Sequence, residues 1–366
     1  MRVAERAFRL PALRYRVEAG GRSALLTPPP VADHHVFAVD LPGDKDATQA
    51  AESMLSRPLP PAPAPTWDVW LIRRARGSHT LCFRIDHVLL DGTGACRIAR
   101  DLLEDQPAPA GALPRLHTPR PVRARGMASA CKDVALAMRP PRLGPAFSGQ
   151  ATGVARLAHT DVPLRTLRTI GRNLGATIND VHLGALALAV GRLHRQLAGE
   201  PHPAVRVSVP LSIRTPERAD APLNDVVSSL LTLPCDAVSP LQALTRVTAQ
   251  TARLRESGHR DAARLLLAAV PLRLAAAFGA RVASVCPVAM DCSNVNVGPA
   301  LLHQGARATH GAIVTPLIRN QLCHIALTGY DDTARLTVLA DDALTGADGL
   351  GEHWLAALHD LADYAR

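Results

Sequence analysis

The hydrophobic period of this chain changes between Leu81 and Leu103, and the segment Asp86-His87-Val88-Leu89-Leu90-Asp91-Gly92 lies where it changes. Upstream, Leu81-Cys82-Phe83-Arg84-Ile85 puts Leu81, Phe83 and Ile85 on one face, the period of a half-buried strand. Downstream, Gly92-Thr93-Gly94 breaks the strand, and Ala95, Ile98, Ala99, Leu102 and Leu103 share one helical face. A chain that switches period here must turn at His87. The histidine is therefore predicted at a strand end, delivered by a rigid element and left accessible by a loop. An imidazole titrating at about pH 6.5 can take a proton from an alcohol or amine near neutrality. Asp91 is placed to support the turn, and Gly92 to supply unusual backbone angles. The bare string His-x-x-x-Asp-Gly is weak, because Asp-Gly is a common turn and lone histidines are commonly satisfied core residues.

At 366 residues the chain is long for one domain and comfortable for two. A net charge of +9 points to an acidic partner, but the arginines are scattered, and aromatics for base stacking make up only 3%. Nucleic acid is therefore not expected. Coenzyme A or an acidic carrier protein fits the charge equally well, and a merely solvated surface is the simplest reading. Cysteines 82, 96, 131, 235, 286, 292 and 323 form no Cys-x-x-Cys pair and no zinc spacing. They read as reduced core thiols of a cytoplasmic protein, and neither a metal nor a cofactor is expected. The first residues lack the apolar core of a signal peptide, and no apolar run reaches the roughly 20 residues needed to span a bilayer. The longest, Leu265 to Ala280, is interrupted by Pro271 and Arg273. Peripheral contact with a membrane surface stays open.

Prolines punctuate the first half. Leu59 to Pro65 precedes the strand-like Trp67-Asp68-Val69-Trp70-Leu71-Ile72, and Gln106 to Arg125 carries Pro107, Pro109, Pro114, Pro119 and Pro121. Extended backbone suits a crossing connection there. The predicted organisation is a first lobe over 1–125, a crossover linker over 126–150 and a second lobe over 151–366. In the second lobe, Leu164 to Leu174 reads as a helix. A second helix follows Thr177, with Asp180 completing a capping-box-like pair. Val205, Val207 and Val209 alternate as a strand, Val288 to Val297, Cys323 to Tyr330 and Arg335 to Ala340 are further strands, and a final helix carries Trp354, Leu355, Leu358 and Leu361. The mixture is α/β.

Several segments together resemble the wax ester synthase/diacylglycerol acyltransferase (WS/DGAT) family, of the chloramphenicol acetyltransferase-like superfamily that includes peptide-synthetase condensation domains. They are Ser56-Arg57-Pro58-Leu59 with Trp67 to Ile72, then Asp86 to Gly92, similar to the family's His-His-x-x-x-Asp-Gly. Ala176-Thr177-Ile178-Asn179-Asp180-Val181 resembles its Asn-Asp-Val helix start. Val209-Pro210-Leu211-Ser212-Ile213-Arg214 with Leu223-Asn224, and Ser293-Asn294-Val295-Asn296-Val297-Gly298-Pro299, complete the set in family order over about residues 34–364. The resemblance implies two lobes with mixed sheets flanked by helices and an active-site channel between them. It also implies an acyl-CoA or acyl carrier protein donor and an alcohol or amine acceptor.

The resemblance assigns His87 as general base. Asp91 is then a brace paired with an arginine, for which Arg214 is the candidate, in a bidentate pair. Ser293 and Asn294 are candidate oxyanion donors, although turn chemistry before Gly298-Pro299 explains them equally well. His324 stands where the family tends to show asparagine, either facing a substrate channel or, more simply, as a core histidine. Capping explains Asn179 and Asp180, and His34-His35 reads as structural or surface. Asp86 occupies the place of the first signature histidine, where a carboxylate beside His87 favours the protonated imidazole. The family's usual segment before the matched part is missing here, which suggests a shortened first lobe. The expected function is thioester-dependent ester or amide formation in specialised metabolism. The alternatives are a wax ester or triacylglycerol synthase and a catalytically degenerate paralogue that binds a carrier protein or serves a structural role.

Overall fold

The computed structural model describes residues 2–17, 24–41, 46–55, 57–74, 77–106, 116–141, 143–200, 204–219, 221, 224–285 and 288–366. Ser56, Pro107, Pro109, Pro114, Leu223 and Cys286 lie outside the described residues. Two compact units form. The first comprises Met1–Thr118, Arg214–Val226 and Asn296–His310; the second comprises Pro119–Ile213, Val227–Val295 and Gly311–Arg366. No single cut in the sequence separates them, in contrast to lobes at 1–125 and 151–366. The physical reason is that two later segments supply partners for the helix after His87, as described below. The expected linker at 126–150 is also largely helical. After Pro121 no proline occurs until Pro140, and the alanine-rich stretch between them coils over Ala124–Ala137.

In chain order the first unit contains α1 (Arg2–Arg9), β1 (Tyr15–Val17), β2 (Ala24–Leu26), α2 (Ala32–His35), β3 (Val36–Asp40), α3 (Ala47–Leu55), β4 (Trp67–Arg73), β5 (His79–Ile85) and α4 (Gly92–Leu103). The second opens with α5 (Ala124–Ala137), β6 (Ala155–Pro163), α6 (Leu164–Asn173), α7 (Ile178–Ala198), β7 (Val205–Ser212), β8 (Val226–Leu233), α8 (Pro240–Ser257), α9 (His259–Ala269) and α10 (Leu272–Val285). Then come β9 (Met290–Gly298), the short pair β10 (Leu302–His303) and β11 (Ala306–Arg307), which belongs to the first unit, and, in the second, β12 (Cys323–Tyr330), β13 (Thr333–Asp341) and α11 (Leu350–Tyr364).

In the first unit β4 lies between β3, parallel to it, and β5, antiparallel. The alternation read at Leu81 to Ile85 is thus a real strand. Trp67 is buried at the start of β4, where its indole N–H donates to the Leu13 carbonyl at 2.8 Å and its ring stacks on His35. Of the His34-His35 pair, His35 is structural: it is buried, and burial lowers its pKa. Arg84 on β5 reaches the Asp68 carboxylate through two nitrogens and donates to the carbonyls of Met54, Arg57 and Pro58. A charged residue on a strand thereby fixes the proline-rich approach to β4.

The second unit is built on a six-stranded sheet in the order β6-β13-β12-β9-β7-β8. The burial patterns follow from position. Central β12 is buried along its whole length, whereas β8, at the edge, alternates between buried and accessible residues. Helix α7 is capped as read from the sequence: Thr177 accepts from the Asp180 N–H at 3.1 Å, and Asp180 accepts from the Thr177 N–H at 2.9 Å. The buried Asp180 carboxylate also accepts from Thr251 at 2.6 Å, locking α8 onto the start of α7. Gly191 on α7 is needed for contact, since a Cβ there would sit 2.3 Å from the Cys235 carbonyl oxygen. His182, fully buried on α7, meets the Trp354 ring edge to face, and neither of its nitrogens has a hydrogen-bond partner among the described residues.

Two predictions follow from this core. Gly191→Ala gains about 1 kcal/mol of helix propensity but loses more to the clash, so it unfolds at lower temperature than the parent in calorimetry. Burial lowers the His182 pKa to about 3 from 6.5, so below pH 6.5 the unfolded chain binds a proton that the folded chain refuses. Stability carried by neutral His182 is complete above pH 6.5 and declines as the pH falls toward 3. Denaturant titrations at pH 7 and pH 4 should show His182→Leu losing less stability than the parent on acidification, by about 3 kcal/mol.

Candidate active site

Within the first unit, β5 ends at Ile85, a turn covers His87 to Leu89, and α4 starts at Gly92 with Asp91 as its N-cap. Buried Leu89 and Leu90 pin the turn to the core while His87 and Val88 face solvent. Asp86, the departure from the family signature, has a local explanation. Its Oδ1 accepts the Val88 N–H at 3.0 Å, and its carbonyl accepts the Leu89 N–H at 2.9 Å. This side-chain-closed turn is chemistry that aspartate performs well.

His87 is held at one nitrogen only. Nδ1 lies 2.8 Å from the Leu90 carbonyl, which can only accept, so Nδ1 carries the proton and Nε2 the lone pair. Among the described residues Nε2 has no hydrogen-bond partner. The His87 carbonyl accepts from Asn224 Nδ2 at 2.8 Å, so the loop is restrained from both sides. A strand end, a buried dileucine and two hydrogen bonds thus present an exposed, tautomer-fixed imidazole.

Asp91 is buried and fully engaged. Its Oδ1 accepts the Gly94 N–H at 2.9 Å, which caps α4. Its Oδ2 accepts Arg214 Nε at 3.0 Å, Arg214 Nη2 at 2.8 Å and the Asp225 N–H at 3.1 Å. The Asp91–Arg214 pair exists, but both arginine donors converge on a single oxygen instead of forking over two. The cap on Gly94 claims the other oxygen. Arg214, also fully buried, spends Nη1 on the carbonyls of Arg218, Ala219 and Ala221. No hydrogen bond joins Asp91 to His87, whose Nδ1 is committed to the Leu90 carbonyl, so this geometry offers no direct proton relay between them.

Glycine matters here at a position other than the expected one. Gly92 sits in the first turn of α4, with no left-handed backbone. Gly94 is the tight position, because a Cβ there would lie 3.0 Å from Arg214 Nη2 and 3.1 Å from Leu90 Cδ2. The sequence reading also missed Asp225 and Arg100. Burial pushes the Asp225 carboxyl up although Arg218 and Arg214 pull it down. Arg100 is buried on α4, pairs with Glu104 at 2.6 Å and donates to the carbonyls of Val297 and Pro299. Its only signal was an arginine between Ile98 and Leu102 on the apolar side of the helix.

Ser293, Asn294 and His324 belong to the second unit. Ser293 and Asn294 lie on β9 and not in a turn; the strand runs on to Gly298, whose φ of 96° is left-handed. Ser293 Oγ is 3.3 Å from His324 Nε2 and 3.4 Å from the Ile325 carbonyl. Asn294 donates to Asn179 Oδ1 at 3.1 Å, tying β9 to the first turn of α7. His324 is buried on β12, in the core position its sequence context favoured. The structure thus gathers Asp86, His87, Asp91, Gly92 and Arg214 into one cluster and Ser293, Asn294 and His324 into another. Of the cysteines, Cys96, Cys235, Cys292 and Cys323 are buried thiols with pKa values raised by burial. Cys131 is exposed, because its position on α5 faces solvent. No cluster of His, Cys, Asp and Glu among the described residues is arranged to hold a metal.

The WS/DGAT C-terminal domain family matches residues 224–362. That stretch of the chain is similar to a WS/DGAT C-terminal domain. A Mycobacterium tuberculosis protein named "Putative diacyglycerol O-acyltransferase" is 29% identical over 218 residues, covering 57% of this chain and 44% of its own length. A "Probable diacyglycerol O-acyltransferase" of the same species is 24% identical over 265 residues, covering 64% and 57%. The WS/DGAT-like chain therefore spans about half the length of the curated relatives it matches. The solved wax ester synthase/diacylglycerol acyltransferase from Marinobacter aquaeolei VT8 superposes with a TM-score of 0.66 at 19% identity, over 99% of this chain and 90% of that one. The first condensation domain of the CDA synthetase gives 0.64 at 17%, over 99% and 87%. The resemblance and the α/β fold with mixed sheets flanked by helices both hold.

Removing the Asp91 carboxylate leaves a buried guanidinium without its partner, so Asp91→Ala should cost about 3–5 kcal/mol in urea unfolding. Asp86→Asn keeps an oxygen able to accept from Val88 and should stay within about 0.5 kcal/mol of the parent.

Proposed function

We propose that this WS/DGAT-like chain transfers an acyl group from a thioester to a hydroxyl, with His87 as general base. The observation that carries this reading is the exposed imidazole with Nδ1–H committed to the Leu90 carbonyl and Nε2 left as a lone pair. Nε2 takes the hydroxyl proton as the oxygen attacks the thioester carbonyl. The tetrahedral intermediate then expels a thiolate, which accepts that proton from the imidazolium. No enzyme nucleophile is required, since the thioester is already activated, and the buried cysteines with raised pKa values suit no such role. Asp91 and Arg214 act as positioning residues: they fix the start of α4 and thereby the turn that carries His87. The names of the mycobacterial relatives support the ester-forming reading over the amide-forming one.

A second reading has its own support, because the likeness to a condensation domain is nearly as close as that to the wax ester synthase. In it the donor is a carrier-protein thioester, the acceptor an alcohol or amine, and the setting specialised metabolism. Intact mass spectrometry of acyl transfer from coenzyme A and carrier-protein thioesters to diacylglycerol, long-chain alcohols and amines separates the two. The first reading expects ester from a coenzyme A donor. His87→Ala should reduce the rate by about 100- to 10,000-fold with the melting temperature unchanged. Turnover that survives His87→Ala would falsify the base assignment. Failure of the parent chain with every donor and acceptor would favour a degenerate, binding role.

A further inference from the structure

We propose that Ser129, His259 and Asp133 form a second nucleophilic site, in which Ser129 takes an acyl group from a small activated ester or thioester. The inference does not depend on the acyl-transfer reading of His87. It starts from a spacing on α5: Gly126, Ser129 and Asp133 stand at i, i+3 and i+7, on one face of the helix. Gly126 lets that face approach the junction of α8 and α9, since a Cβ there would lie 2.7 Å from the Ser257 carbonyl oxygen. At the junction Gly258 turns the chain with a left-handed φ of 76° and stands as the N-cap of α9. The next residue, His259, is thereby laid against the following turns of α5. It is 1% exposed, with Ser129 at one ring nitrogen and Asp133 at the other.

The neighbours decide where the ring proton sits. Asp133 Oδ2 accepts from Ser229 Oγ at 2.9 Å and from the Leu230 N–H at 3.0 Å, so that oxygen carries no proton. It lies 3.4 Å from His259 Nε2, a buried nitrogen with no hydrogen-bond partner among the described residues. The carboxylate draws the proton of the neutral ring to Nε2, which leaves the Nδ1 lone pair 3.0 Å from Ser129 Oγ. Burial lowers the His259 pKa against the pull of Asp133, so the ring is neutral near pH 7. Carboxylate, imidazole and hydroxyl thus stand in the order that activates a serine, and a loose base–carboxylate contact is common before substrate binds. Ser129 is only half-buried, so a small reagent reaches it. Its Oγ attacks the acyl carbonyl as Nδ1 takes the hydroxyl proton. The Oγ–C bond forms, the bond to the leaving oxygen or sulfur breaks, and the leaving group receives that proton from the imidazolium. The Asp133 carboxylate repels a negatively charged phosphoryl donor and so favours an uncharged acyl carbon.

The test is incubation of the whole chain with p-nitrophenyl acetate and, separately, with an uncharged alkyl fluorophosphonate, a serine-directed probe. Intact mass spectrometry and peptide mapping then locate the adducts. The folded parent should carry an acetyl or a phosphonyl group on Ser129, and the same chain unfolded in urea should leave Ser129 unmodified. His259→Gln should slow modification of Ser129 by at least about 100-fold, and Asp133→Asn by at least about tenfold. Because His259 is buried, its variant can fail to fold; melting temperatures identify that case, and the comparison of folded with urea-unfolded parent then decides. Ser129 unmodified in the folded parent, modified equally in urea, or modified at the parental rate in a folded His259→Gln protein overturns the proposal. Each of those results leaves the three residues as a structural clamp between α5 and α9.

Discussion

The first unit depends on one buried ion pair. Asp91 and Arg214 are far apart in sequence, yet each is enclosed and each spends its hydrogen-bonding capacity on the same small volume. A buried carboxylate is tolerable only when its oxygens are claimed by donors, and here a helix cap, a guanidinium and the backbone of Asp225 claim them. A buried guanidinium likewise requires acceptors, and it gathers the carbonyls of Arg218, Ala219 and Ala221. The pair therefore does more than bridge two points. It fixes the start of α4 and holds Arg218, Ala219, Ala221 and Asp225 around it, and the neighbouring Asn224 restrains the backbone of His87. Such networks contribute more to a unique conformation than to net stability, a role suited to a loop that carries a reactive side chain.

Histidine shows how environment decides role. His87, His35 and His182 begin as the same imidazole. His87 is exposed, with one nitrogen bonded to a carbonyl, so its second nitrogen is available to solvent or substrate. His35 is stacked on Trp67 and bonded to the Trp67 carbonyl, and burial lowers its pKa. His182 lies against Trp354 and stays neutral through most of the acidic range. Only the first arrangement couples a fixed tautomer to an open lone pair, the combination that general base chemistry uses.

Arginine carries the long-range organisation. Arg84 collects the approach to β4, Arg100 holds the carbonyls of Val297 and Pro299, and Arg214 closes around Asp91. In each case a planar, permanently charged fork satisfies several backbone oxygens that no regular element would serve. The scattered arginines of the sequence thus include a structural subset.

The sequence by itself determined what is local. The period change around Asp86–Gly92, the Thr177–Asp180 cap, the strand Cys323–Tyr330 and the closing amphipathic helix are set by neighbours within a turn or two, and hydrophobic period records those. It also indicated Arg214 as the partner of Asp91, through ordered motifs. What it could not specify were features that depend on residues distant in the chain. Arg100, Asp225 and Gly94 acquire meaning only once α4, Arg214 with Asp225, and the stretch from Val297 to Pro299 come together. Val288 to Val297 was legible as a strand, but its place between β7 and β12, which makes the turn chemistry weighed for Ser293 and Asn294 inapplicable, is set only by the sheet. Asp86, unexplained as a letter in a motif, became a turn-closing oxygen once the backbone of Val88 was placed against it. Local pattern fixed which segments are strand or helix; tertiary folding decided which charges are buried and that His87, held at Nδ1, keeps an open Nε2.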